Sequence, residues 1–269
     1  APLIQGEEAP KFAAAYGLVP IGILSMLLVA AQAATAITSE RDLGSLDLLL
    51  VTDLSPKEVI FGKLWGILYN STEYLIPPLI LFRVYAWFGL LATPPADQPE
   101  LRRALGFEAL VCLLGIGLVL MAFTIVLGIH VALRVPNSRQ AILSTLSTIF
   151  FLSVGTLVCI YLILMNGRFE YQWTSFLVFA IAGVGGLAWV LNGNRPSAAL
   201  WVASWICPFA VLYCVMSVLV GKPGTVESAD PILPFLVIAI SFGFTIAGMV
   251  IPLISEFDVA LGRTRAEGD

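Results

Sequence analysis

Apolar residues run along this chain in blocks of about 20 or more, set apart by short polar stretches. Seven blocks stand out, at roughly 13–37, 59–82, 107–132, 141–165, 172–192, 198–220 and 231–254. A helix rises about 1.5 Å per residue, so about 20 apolar residues cover the roughly 30 Å hydrocarbon core of a bilayer. In lipid each backbone N–H and C=O needs an internal partner, and blocks of this length meet that need as helices. The apolar–polar alternation of a membrane barrel is missing from the sequence. The pattern predicts an all-α transmembrane bundle of about seven spans. It forms one domain over 1–269, with a polar loop at 38–58 between the first two spans.

Composition supports this reading. The chain is 59% hydrophobic and 12% charged. A soluble domain carries about 25% charged residues, and a large share of any globule must face water. A soluble enzyme, a disulfide scaffold and a disordered chain are thereby excluded. A net charge of −4 and a pI near 5.0 leave no basic face for nucleic acid. Cys112, Cys159, Cys207 and Cys214 all sit inside apolar blocks and read as buried free thiols. With a single histidine, His130, the chain cannot build a multi-histidine metal centre, and no metal site is predicted.

Charge also orients the spans, because short cytoplasmic loops are enriched in Lys and Arg. Placing 38–58 in the cytoplasm puts Arg41, Lys57, Lys63, Arg134, Arg139, Arg195, Arg263 and Arg265 on that side. Lys11, Arg102, Arg103, Arg168 and Lys222 then lie outside. The expected topology is N-terminus out and C-terminus in. An external start without a signal peptide leads us to expect an upstream transmembrane helix, with this chain a fragment lacking it.

The scarce charges are concentrated. Glu40, Arg41, Asp42, Asp47, Asp53, Lys57, Glu58 and Lys63 crowd into 40–63. Gly44 breaks the chain after the first span. Ser45 is a good N-cap, and Asp47 in the first turn complements the positive end of a helix. The run from Leu46 to Val51 is too short to span. It predicts a lateral helix at the membrane surface, with Leu46, Leu49 and Leu50 as an apolar ridge. Ser55-Pro56-Lys57-Glu58 reads as a capping box that starts the return span: Ser55 caps, Pro56 takes the first helical position, and Glu58 reaches back. Lys63 follows at headgroup level. From these residues alone, a simple solvated loop and a force-transmitting helix are equally good readings.

The order Glu40-Arg41, Gly44-Ser45, Leu46-Asp47, Leu49-Leu50, Ser55, Gly62-Lys63 resembles the signature of ABC-2 type permeases, the membrane subunits of ATP-binding-cassette exporters. Ser45 and Asp47 stand where that family has Thr and Glu, and Asp53 stands where it has Pro. The loop from Arg134 to Ala141 is similar to the family's short basic loop, and the likeness covers about 13–165. It implies that Glu40, Arg41, Gly44, Ser45, Leu46, Asp47, Leu49 and Leu50 couple the chain to a cytoplasmic ATPase subunit. It further implies a second permease subunit, identical or homologous, and a place in the plasma membrane, that of bacteria being the inner membrane. ATP and Mg would be bound by the partner. The chain itself has no G-x-x-x-x-G-K-[ST] loop and is expected to be neither an enzyme nor a cofactor binder.

Glu73 lies mid-span beside Asn70, Ser71 and Thr72, where an ionisable group is costly and marks either a transport path or a hydrogen-bonded packing contact. Pro77-Pro78 predicts a kink above it. His130 reads as an interfacial histidine one turn before Arg134. Gly183, Gly185, Gly186, Ser241, Gly243 and Gly248 read as small faces for close helix packing. Two other functions compete. An ion-coupled secondary transporter would rest on Glu73 and the adjacent prolines. A membrane-embedded enzyme would need H-E-x-x-H, G-x-S-x-G or paired aspartates, none of which the spans contain.

Overall fold

The computed structural model describes residues 9–44, 56–87, 99–165, 169–192, 197–220 and 232–260. Every element among them is a helix. In chain order they are α1 (Ala9–Asp42), α2 (Pro56–Trp87), α3 (Pro99–Arg134), α4 (Ser138–Phe150), α5 (Thr156–Met165), α6 (Phe169–Val178), α7 (Gly185–Asn192), α8 (Ala198–Val220) and α9 (Ile232–Ala260). Two π-helical turns, Phe151–Gly155 and Phe179–Val184, join α4 to α5 and α6 to α7.

Six helical segments are long and apolar enough to cross a membrane: Gly17–Asp42, Val111–Arg134, Ser138–Ile163, Gln172–Asn192, Ala198–Ser217 and Ile232–Ile254. The chain is a multi-pass helical membrane protein. The seventh expected span, 59–82, is helical within α2 but is not among the six. Its polar turn Asn70-Ser71-Thr72-Glu73 dilutes the apolar run. Even so, α2 lies along α1 for most of its length. Lys63 pairs with Glu40 at one end, and Tyr85 packs against Gly17 at the other. About 22 residues separate these contacts on each helix, or roughly 33 Å. The two helices therefore run antiparallel through the same depth.

Local chemistry sets the helix ends. Gly44 takes a left-handed φ of 70°. The Leu43 N–H donates to the Ser39 carbonyl at 3.0 Å and the Gly44 N–H to the Arg41 carbonyl at 3.1 Å, closing α1 in a glycine C-cap. No residue between 38 and 42 breaks the helix. Glu40-Arg41-Asp42, expected in the loop, thus form the last turn of α1. Val135 precedes Pro136, which disfavours helical backbone there and ends α3. Asn137 then caps α4, its side-chain oxygen accepting from the Arg139 N–H at 3.1 Å. Pro99 opens α3 eight residues before the expected boundary, in the first helical position that proline tolerates.

α3 is the central helix. It packs against α1 on one side and α9 on another, and α9 packs on α8. Met121 and every residue from Phe123 to Ala132 are buried, as a helix at the core of a bundle requires. The α1–α3 crossing is close because Gly128 has no side chain. A Cβ there would lie 2.7 Å from the Ala33 Cβ and 3.1 Å from the Ala34 backbone nitrogen. Phe123 and Phe242 meet edge to face at 4.8 Å across α3 and α9.

Candidate functional site

The charged turn at the end of α1 is built into a collar that ties four helix ends together. Arg41 Nη1 donates to the carbonyls of Ala132 at 2.9 Å and Val135 at 2.8 Å. Ala132 lies in the last turn of α3 and Val135 directly follows it, where carbonyls lack helical partners. The guanidinium therefore satisfies orphan acceptors and places positive charge at the negative end of the helix dipole. Arg41 Nη2 donates to Ser138 Oγ at 3.0 Å, and Ser138 Oγ donates to Asp42 Oδ1 at 2.6 Å. Ser138 is the first residue of α4. Glu40 pairs with Lys63 of α2. Three consecutive side chains thus bind α2, α3 and α4 to the end of α1.

Of the residues that carry the family resemblance, Glu40, Arg41 and Gly44 sit in this collar, with Lys63 across from them. Glu58 lies in the first turn of α2, which Pro56 opens. Ser45, Leu46, Asp47, Leu49, Leu50 and Ser55 lie outside the described residues, and so does most of the 38–58 loop. Both ends of that segment, Gly44 and Pro56, emerge from helices that the collar holds together.

Glu73 lies at mid-depth of α2, about 15 Å along the helix from Lys63 and about 18 Å from Tyr85. It is exposed on the outside of the bundle, as are Tyr69, Asn70 and Thr72. Ser71, on the opposite face, is buried and donates to Gln32 Oε1 of α1 at 3.1 Å. The polar turn is thereby divided: one hydroxyl makes an interhelical bond, and the carboxyl side faces away from the protein. Gly62 and Gly66 continue the outer face toward the collar, with open space where a Cβ would stand.

His130 is 1% exposed, buried within the bundle one turn before Arg134. Its ring faces the Met249 backbone of α9, and Nε2 lies 3.4 Å from Ser197 Oγ at the start of α8. Ser197 is held in turn, its N–H donating to Asn192 Oδ1 at 3.2 Å. The sequence reading missed the reason, which is that α8 and α9 both come back to this level of α3. Cys112, Cys159 and Cys207 are buried and Cys214 half-buried, all as free thiols. Among the described residues no three His, Cys, Asp or Glu side chains converge on a point that could hold a metal.

Compared with family models, curated proteins and solved structures, the chain matches none. Its likeness to a permease rests on the motif residues alone.

The paired π turns also escaped the sequence reading. The Thr156 N–H reaches back five residues to the Phe151 carbonyl, which makes the turn wide. The Phe151 and Phe179 rings stack at 5.7 Å and 16°, one from each π turn. Gly183 makes room for the Phe151 ring, since a Cβ there would come within 2.7 Å of it. Thr156, at the end of the first π turn, is fully buried, and its hydroxyl has no hydrogen-bond partner among the described residues. The signal available in sequence was the glycine pair Gly155 and Gly183 facing aromatics. Of the glycines expected at close contacts, Gly183 and Gly248 pack closely, whereas Gly185, Gly186 and Gly243 face open space.

Proposed function

We propose that this chain is the permease subunit of an ABC-2 type exporter, moving substrate across a membrane with ATP hydrolysed by a separate subunit. The observation that carries the reading is the collar. The Glu40-Arg41-Asp42 turn binds the ends of α2, α3 and α4, so a push on the segment between α1 and α2 would be delivered to four helices at once. A coupling element needs such a base, because a segment anchored to one flexible helix would absorb the motion. The outward-facing Asn70, Thr72 and Glu73 support a second permease subunit against α2, since a carboxyl group facing lipid at mid-depth is costly. In this reading Glu73 borders the transport path between the subunits.

The test is purification of the tagged chain from its native membrane in mild detergent. ATP hydrolysis should co-purify, carried by a second polypeptide. Recovery of the chain without ATPase activity under conditions that preserve its fold would count against the reading. Glu73 also favours a second reading, an ion-coupled secondary transporter. Transport that survives ATP depletion and collapses with an uncoupler would select that one.

A further inference from the structure

We propose that the π turn Phe151–Gly155 is a conformational switch, which closes into regular α-helix and turns α5 about its own axis. The observation that carries it is Thr156. This residue is fully buried at the end of the turn, and its hydroxyl has no hydrogen-bond partner among the described residues. Six other helical threonines are all satisfied in one way. Thr35, Thr38, Thr124, Thr145, Thr148 and Thr245 each donate to the carbonyl four residues back, at 2.7–3.0 Å. For Thr156 that carbonyl belongs to Leu152, and the π turn puts it out of reach. The Thr156 N–H goes to the carbonyls of Phe151 and Ser153, five and three residues back, and so skips Leu152 as well. A hydroxyl without a partner in an apolar interior is costly, because no water replaces the missing bond. In an α-helical turn both the N–H and the hydroxyl would fall on the Leu152 carbonyl. The buried hydroxyl thus points to a second arrangement of the same backbone.

The chain after the turn fits both arrangements. Closing the π turn advances each residue of α5 by one place, a rotation of about 100° and a shift of about 1.5 Å. Val158, now exposed, would take the place of buried Cys159, and Cys159 the place of buried Ile160. From Leu157 to Met165 every side chain is apolar or aromatic, so neither arrangement buries or exposes a charge. The exchange takes place against α8, where Cys159 shares an apolar cluster with Phe209 and Leu212. α8 packs in turn on α9, and α9 on the central α3, so a turn of α5 is passed into the bundle.

The experiment is thiol cross-linking of the full chain in membranes, with Cys112, Cys207 and Cys214 changed to Ala and Leu212→Cys added. Native Cys159 reports the π arrangement, and Val158→Cys with Cys159→Ala reports the closed one. Both pairs should link within the chain, Cys159 the faster. Thr156→Val keeps the shape of the side chain and removes the bond that only the closed turn makes. It should slow the Val158→Cys link about fivefold, the worth of about one hydrogen bond, and leave the Cys159 link unchanged. Thr156→Ser, which keeps the hydroxyl, should restore the link. Deletion of Val154 leaves the turn one residue short of a π turn, and should link through Val158→Cys alone. Thermal unfolding shows which variants are folded, and the two Thr156 variants decide by themselves if the deletion is not. Linking through Cys159 with none through Val158→Cys in the unaltered turn would overturn the proposal. So would a Val158→Cys link that Thr156→Val leaves unchanged, or a folded deletion variant that still links through Cys159.

Discussion

At the end of the bundle where α1 to α4 meet, helices are fastened by directional, charged contacts: Arg41 on two carbonyls, Ser138 between Arg41 and Asp42, and Lys63 on Glu40. Midway along α4–α7 the fastening is of another kind. Phe151 stacks on Phe179, and Gly155 and Gly183 leave space for the Phe151 ring. The difference follows depth. At the membrane boundary a guanidinium can be partly solvated and can satisfy carbonyls that a helix end leaves unpaired. Within the hydrocarbon there is no such gain, and close packing of rings against glycine replaces it. The collar therefore fixes which turn of each helix is level with which. The aromatic pair fixes how near two helices lie.

The comparison breaks most severely at the crossing on which both regions depend. Gly128→Leu would drive a side chain into Ala33 and the α1 backbone, neither of which can swing aside. Overpacking typically costs about 1–3 kcal/mol, and a loss at or above the top of that range is expected. The yield of monodisperse protein in detergent should fall sharply, with Gly128→Ala intermediate. Next comes Arg41→Met, which strands two carbonyls and removes three bonds. A loss of about 3 kcal/mol is expected, read as a lowered unfolding temperature. Arg41→Lys should recover little of it, because an ammonium cannot fork to two carbonyls and a hydroxyl in this geometry.

Smaller effects sharpen the contrast between the regions. Phe151→Ala removes half of the aromatic pair, and about 2 kcal/mol should be lost. That loss should be the same at low and high salt. Lys63→Met should cost about 0.5–1 kcal/mol, because the pair is partly exposed. Unlike the Phe151 effect, it should shrink as ionic strength rises. A salt-independent Lys63 effect would show that the collar is held by packing instead.

The helices were legible because apolar blocks of span length are a strong signal. Their ends were less so. The α1 boundary moved to Asp42 because polarity was read as loop, whereas Gly44 is what stops the helix. α2 kept its helix but not the apolarity of its neighbours, since Asn70 to Glu73 interrupt it. At the candidate site, Glu40, Arg41 and Lys63 were identified from their order along the chain. Their partners Ala132, Val135 and Ser138 lie more than 90 residues away from Arg41 or Asp42, and no local pattern announces such contacts. The π turns were invisible for a related reason: an inserted residue in a helix leaves the apolar run unchanged. The burial of His130 was not legible, because a residue's distance from the next arginine says nothing about which other helices return to its level.

The central claim is that the segment between α1 and α2 meets an ATPase, with the collar as its base. The most direct measurement is site-specific photocross-linking in native membranes from Leu49 replaced by p-benzoylphenylalanine. The account predicts an adduct with an ATP-hydrolysing polypeptide, and ATP-driven transport that fails in Glu40→Ala/Arg41→Ala. Adducts confined to lipid or to a second copy of this chain, with no ATPase captured from Leu46, Leu49 or Leu50, would contradict it.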